Sequence, residues 1–577
     1  MKRTDKNSMK SPDQGPSQGP NPGPVSRRKF LRTSAESSAV LAAVAAGTGI
    51  PALAQQTSGA GGTAAAATSP RDQRRQAALK LRSDCAQMQF DETRAPSTNN
   101  GDETRYADKR GNFSKSLPHN DTGEVDPKAY DEFVAILKSG DPARFEQFPR
   151  DAQANAKLSA PLAAYAYEIV GADAQSVPLP PPPSFASAAH AFEMAEVFWH
   201  LLTVDVPLVE YASNPLVAAA TADLNAFSSK LGPRAGGQIT PGTLFRGESA
   251  GDLIGPYISQ FFWMDIPYGT KIIDQRYRPA RKGQAFLTKF DEWVANQRGM
   301  RGTTRAEFET TPRYISTNRD MAEWVHGDFN FQAALNAALI IQRWGDEAQA
   351  QNNPYLKSKT QSGGVTLGRE AVTLLGQIST PSQKACYYHK WLIHRRARPD
   401  AFGGKLDMHL SGKKSFDIHS DLLKCDAVAR SFALHGSRLL PMSYPEGSPM
   451  HPAYPAGHAT NAGAGATLLK AFFNESYPIP SPVQPSADGS KLEPYTGPTL
   501  TIGNELNKMA HNVSLGRDAG GVHYRSDGIQ GMWLGEAMTI SVLCDYSRTY
   551  RERFGGYELT KFDGQKIRIA NGKVTNI

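Results

Sequence analysis

The 577-residue sequence has little cysteine, few alternating strand patterns and no internal repeat at a fixed period. It also has no apolar run long and pure enough to span a bilayer stably. The four cysteines, Cys85, Cys386, Cys425 and Cys544, form no C-x-x-C pair, which argues against a zinc knuckle or a thioredoxin-like centre. They leave open up to two disulfides, by any of three pairings, or buried thiols. Charge of one sign is scarce as well. The formal net charge is +8, but five of those charges sit in residues 1–54. The body therefore has no global electrostatic reason to bind nucleic acid. At 40% hydrophobic and 21% charged residues, the chain is too apolar for disorder and too polar for a multi-span membrane protein.

What is present begins with an export pattern. Residues 1–25 are rich in Pro, Gly, Ser and Gln. Ser26-Arg27-Arg28-Lys29-Phe30-Leu31-Arg32 then precedes a small-residue apolar stretch and Ala52-Leu53-Ala54, an A-x-A cleavage pattern. This resembles a bacterial twin-arginine signal, a receptor-read address that leaves no stable membrane anchor after cleavage. The expected location is periplasmic or secreted. Residues 55–90 read as a flexible mature N-terminus and a first helix. Residues 91–360 read as an N-terminal helical region, and 361–577 as a C-terminal helical bundle.

Helices are expected at Phe185–Leu202, Asp328–Trp344, Glu370–Gly376, Pro381–Arg396, Asn461–Phe473, Thr501–Val513 and Ile529–Tyr550. Pro- and Gly-rich loops are expected at 399–420, 441–457 and 475–498. The sum is an all-α bundle protein with long functional loops.

Three basic clusters lie in the C-terminal third. In the first, Lys390, His394 and Arg398 are spaced four apart, which puts them on one helical ridge. Pro399 disfavours helical geometry at Arg398 and lets it turn into a site. The second is His451-Pro-Ala-Tyr-Pro-Ala456-Gly457-His458, followed by an Ala/Gly/Leu helix. A helix N-terminus offers free N–H groups to an anion, and Gly457 permits close approach. In the third, Ser514-Leu-Gly-Arg517 leads through a Gly-rich loop to His523, with Asp527 one helical turn on. A carboxylate there can fix which imidazole nitrogen is free to bind. Each cluster alone also reads as a solvated face or a structural histidine. Together they supply three cations, a backbone donor and two histidines, the equipment to hold a highly charged oxyanion.

The pattern K-x(7)-RP, PxGH and S-x-x-R-x(5)-H-x-x-x-D resembles the vanadium-dependent haloperoxidases, which share a site with type 2 phosphatidic acid phosphatases. The eight-residue Lys390–Arg398 interval and the segments Phe245–Phe261 and Asp328–Ile341 are similar to the bromoperoxidase branch. The resemblance implies two four-helix bundles, vanadate as cofactor and homo-oligomers. It implies His523 as the axial ligand to vanadium and His458 as the acid–base residue. Lys390, Arg398, Arg517 and the Gly457 N–H would hold the oxygens. His451 falls where bromoperoxidases carry a histidine, which favours bromide. The implied reaction uses hydrogen peroxide to oxidise halide to a hypohalous-acid equivalent that halogenates small organic acceptors. One departure is Ala456 where the family often has Ser, which removes a hydroxyl partner worth about 1–3 kcal/mol. A periplasmic acid phosphatase with a phosphohistidine is the main alternative, and an oxyanion-binding protein without turnover is a further one.

Overall fold

The computed structural model describes residues 69–577. The expected twin-arginine leader and cleavage pattern, residues 1–54, lie outside the described residues.

The first helix, α1 (Pro70–Asp91), has no buried residue. Helix α2 (Ala188–Leu202) begins where the Ser187 hydroxyl accepts from the His190 N–H. It is apolar nearly all round, and its residues 190–201 are all buried. Helix α3 (Pro215–Asn225) starts on an Asn214 cap with Pro at N1. Helix α4 (Asn318–Gly327) starts on a Thr317/Asp320 capping box. Next come α5 (Gln332–Gln342), α6 (Glu370–Tyr388), α7 (Pro399–Leu410) and α8 (Asp426–His435). The last three long helices are α9 (Gly457–Phe472), α10 (Ile502–Ala519) and α11 (Arg525–Tyr546).

Helices α6, α9, α10 and α11 pack on one another as a four-helix bundle with α9 at its centre. Small residues set the spacing of that bundle. A Cβ on Gly463 would sit 2.4 Å from the Met532 carbonyl oxygen, and one on Gly535 would sit 2.0 Å from the Thr460 carbonyl oxygen. The α9–α11 approach therefore needs glycine on both sides. A second helical group forms around α2, with α3, α8 and a short helix at Ser420–Leu423. Here α8, from late in the chain, packs on α2 from its first half, so the two halves interleave. One continuous hydrophobic core runs through both groups. No helix among the described residues is long and apolar enough to cross a membrane.

The structure corrects several sequence expectations. The two helices expected at Glu370–Gly376 and Pro381–Arg396 are one helix, α6, with Pro381 inside it. That helix widens into a π-turn at His389–His394 and stops at Arg395, whose φ is 43°. Lys390, His394 and Arg398 therefore do not share a helical ridge. Arg398 is extended, as Pro399 requires, and caps α7. The loop expected at 399–420 contains α7, because Arg398-Pro399 is also a helix start. Three small antiparallel sheets were not expected. They are β1–β2 (Ile266–Tyr268, Lys271–Ile273), β3–β4 (Val483–Pro485, Leu492–Pro494) and β5–β6–β7 (Tyr557–Thr560, Lys566–Ala570, Lys573–Asn576). All four cysteines are free thiols.

Candidate functional site: an oxyanion pocket at the end of the C-terminal bundle

The site is built where chain breaks between helices come together at one end of the four-helix bundle. Backbone bonds tie these breaks to each other. The Ala456 N–H donates to the Asp527 carbonyl oxygen at 2.8 Å. The Ala453 N–H donates to the Arg396 carbonyl oxygen at 3.0 Å. Helix α9 starts at Gly457, so the N–H groups of its first turn have no carbonyl four residues back to bond.

Arg398 is fully buried and organises two histidines. Its Nη1 donates to His523 Nε2 at 2.9 Å and to the Val522 carbonyl at 2.7 Å. Its Nη2 lies 2.9 Å from His451 Nδ1, and its Nε donates to the His451 carbonyl. A guanidinium only donates, so His523 Nε2 and His451 Nδ1 must carry lone pairs. The other nitrogen of His523 then holds the proton, and Nδ1 donates to Asp527 Oδ2 at 3.0 Å. This fixes the tautomer that sequence spacing anticipated. Asp527 is itself buried and paired with Arg396 at 2.7 Å.

Lys390 is fully buried at the π-turn. Its Nζ donates to the carbonyls of Pro452 and Ala453 at 2.7 and 2.9 Å. Burial lowers its pKa to about 7, with the neighbouring cations adding to the effect. Burial likewise lowers Arg398 to about 10. Arg517 ends α10 and donates through Nη1 to the Val325 carbonyl at 2.8 Å. Its Nε is buried with no partner among the described residues. His458 keeps its ring half-exposed, with Nε2 bonded to Asp328 Oδ1 at 3.0 Å. Enclosure by protein and the charge of Arg517 lower its pKa, while Asp328 opposes that shift. Burial and the surrounding cations hold His523 and His451 well below the ordinary histidine value.

His451, Gly457, His458, Arg517 and His523 line one cavity of about 100 Å³, together with Asn330, Gln383, Tyr387 and Pro449. None of these lining residues is a carboxylate. The volume is far below the ~300–1,000 Å³ of pockets that enclose organic ligands. Larger cavities of about 910 and 850 Å³ lie beside α1 and gather no histidine. A small cavity with Arg517 on its wall and Arg398 and Lys390 close behind it suits a compact oxyanion of high charge.

Of the residues expected from sequence, Gly457, His458, His451, Arg517 and His523 share the cavity. Arg398 and Lys390 stand behind its wall, Arg398 in direct contact with two of the histidines. Sequence reasoning missed Asp328, which holds His458, and Gln383, whose Nε2 donates to the Gly457 carbonyl at 2.8 Å. It also gave no role to Arg396, although that residue lies within the first basic cluster, between His394 and Arg398. Ala456 offers no side-chain cap to α9 and is fully buried, so no hydroxyl replaces the absent Ser.

Comparison with known proteins agrees with this geometry. Residues 433–551 match the family described as VCPO second helical-bundle domain. The chain is 32% identical to a vanadium-dependent bromoperoxidase of Ascophyllum nodosum, over 82% of this chain and 88% of that protein. It is 31% identical to the vanadium-dependent bromoperoxidase of Corallina pilulifera, over 86% of this chain and 98% of that protein. Its fold is similar to the homohexameric second vanadate-dependent bromoperoxidase of Ascophyllum nodosum, with a TM-score of 0.84 and 28% identity. That match covers 93% of this chain and 97% of the other.

Proposed function

The chain belongs to the vanadium-dependent bromoperoxidase family and is a vanadate-dependent haloperoxidase, and from that premise we propose how its own residues divide the work. His523 Nε2 would bond vanadium. Arg398, Arg517, Lys390 and the Gly457 N–H would neutralise the oxygens. Bound vanadate supplies a Lewis-acidic centre on which hydrogen peroxide becomes a two-electron oxidant of halide.

The observation that carries this reading is the shared cavity. It gathers His523, whose Nε2 lone pair now accepts from Arg398, Arg517, whose Nε has no partner among the described residues, and a second histidine, His458, with no carboxylate lining it. Asp328 occupies His458 Nε2, which leaves Nδ1 as the ring atom free to take a proton from peroxide and return it. Lys390 and Arg398 lower the negative charge that a halide must approach. Arg398 now donates to His523 Nε2, so that N–H would turn to an oxygen of the bound oxyanion. Bromide is the favoured halide, supported by His451 and its bond to Arg398. A cavity of this size has no room for an organic acceptor. Halogenation of small organic acceptors therefore occurs at or beyond its mouth.

Export by the twin-arginine route to the periplasm or medium is supported by the Ser26–Arg32 pattern and the apolar stretch that ends at Ala54. Self-association is supported by the homohexameric relative. The test of function is bromination of a phenolic dye by peroxide and bromide, before and after vanadate is added to metal-free protein. Activity that appears with vanadate supports the reading. Activity indifferent to vanadate, or phosphate-ester hydrolysis outpacing it, overturns it.

A further inference from the structure

Arg396 lies outside the oxyanion cavity, yet it touches the carboxylate that orients His523. Arg395 adopts φ 43°, and this turn sends the next side chain inward. The Arg396 guanidinium is buried over the Tyr524 ring, 4.0 Å from its centroid. Nη1 donates to Asp527 Oδ1 at 2.7 Å and to Ser526 Oγ at 2.9 Å. Nη2 donates to Glu193 Oε2 at 2.8 Å and lies 2.8 Å from His190 Nδ1. The other Glu193 oxygen accepts from the Ser526 N–H at 2.6 Å. Both carboxylates are fully buried.

The geometry of Asp527 makes this frame consequential. One of its oxygens takes the His523 Nδ1–H and the Tyr524 N–H. The other is taken by Arg396. Asp527 cannot rotate toward or away from His523 without breaking its bond to Arg396. The Arg396 backbone carbonyl also holds the Ala453 N–H, and the Ala453 carbonyl is one of the two caps on Lys390. One residue thus braces the imidazole that would bind vanadium and the loop that holds the buried lysine. A lysine could not replace it, because a single ammonium cannot present a rigid fork to Asp527 and Glu193 at once.

We propose that Arg396, anchored by Glu193, is the positioning residue that locks Asp527 against His523 Nδ1 and so aims the Nε2 lone pair into the cavity. This rests on the vanadate reading of the site. Partners that orient a metal-bound histidine cost roughly 10–100-fold in metal affinity when removed.

The test is a set of variants read by vanadate affinity, using equilibrium dialysis of metal-free protein. Arg396→Lys should weaken vanadate binding by about 10–100-fold. Glu193→Gln leaves Arg396 in place but removes one of two acceptors shared with Ser526, and should weaken it several-fold. In an Asp527→Asn background each change should add less than about twofold, because the route to His523 is already cut. Nitrogen-15 spectra of the metal-free forms supply a reading independent of binding. The wild type should show His523 protonated at Nδ1, and Arg396→Lys should show a mixture of tautomers. Losses that simply add to that of Asp527→Asn overturn the proposal, as does an unchanged affinity or tautomer. Should Arg396→Lys fail to fold, Glu193→Gln carries the same cycle. A wild type that binds no vanadate would instead refute the reading of the site itself.

Discussion

Lys390 offers a quantitative test because it is fully buried, capped by two carbonyls and held at a pKa of about 7. At pH 8 roughly nine-tenths of it is neutral in the free protein. An oxyanion of high charge placed in the adjoining cavity restores the ammonium. Vanadate binding at pH 8 should therefore take up about 0.9 proton at this residue, falling to about 0.1 at pH 6. Calorimetry in two buffers of different ionisation enthalpy reads that uptake. Subtracting Lys390→Met removes the vanadate ion's own protonation. The same pKa predicts a stability effect that needs no ligand. A lysine lowered on folding binds more protons when unfolded, so stability rises with pH between the folded and unfolded values. Between pH 7 and 9 the stability of the wild type should gain about 2 kcal/mol relative to Lys390→Met. Urea denaturation of both forms measures it. Equal proton uptake in wild type and variant, together with parallel stability curves, would refute the claim that this lysine is poised for an incoming anion.

Three further outcomes follow from the same geometry. If His458 has the proposed proton-moving role, His458→Ala should cut bromination turnover about 10²–10⁴-fold while vanadate affinity by dialysis changes only a few-fold. Asp328→Asn removes the group that opposes the lowering of His458. The acid limb of the pH–rate profile, set by loss of the neutral imidazole, should move to lower pH. Ala456→Ser supplies a buried hydroxyl beside Gly457, and vanadate should bind about 5- to 150-fold more tightly. Dialysis showing equal or weaker binding would contradict the assigned place of residue 456.

The site was more legible in the sequence than the path of the chain that builds it. Gly457-His458 at a helix start and His523 with Asp527 one turn on depend on local backbone rules, and they stand where spacing placed them. Pro399 correctly marked Arg398 as extended. Lys390 was placed on a helical ridge because a four-residue interval looks helical, and nothing in the sequence signals a π-turn followed by a left-handed Arg395. Asp328, Gln383 and Glu193 reach the site only through tertiary packing, from 74 to 333 residues away from the groups they touch. The C-terminal sheet, by contrast, could have been read. Asp563-Gly564 and Asn571-Gly572 are hairpin turn signals between alternating apolar residues, and Asn571 and Gly572 take the positive φ such turns require.

A crystal of the metal-free protein soaked in vanadate tests the central claim most directly. The account predicts density bonded to His523 Nε2, with Arg398, Arg517 and the Gly457 N–H around its oxygens and His458 within hydrogen-bond reach. Density that is held elsewhere, or that leaves His523 bonded to Arg398 as it is now, would contradict it.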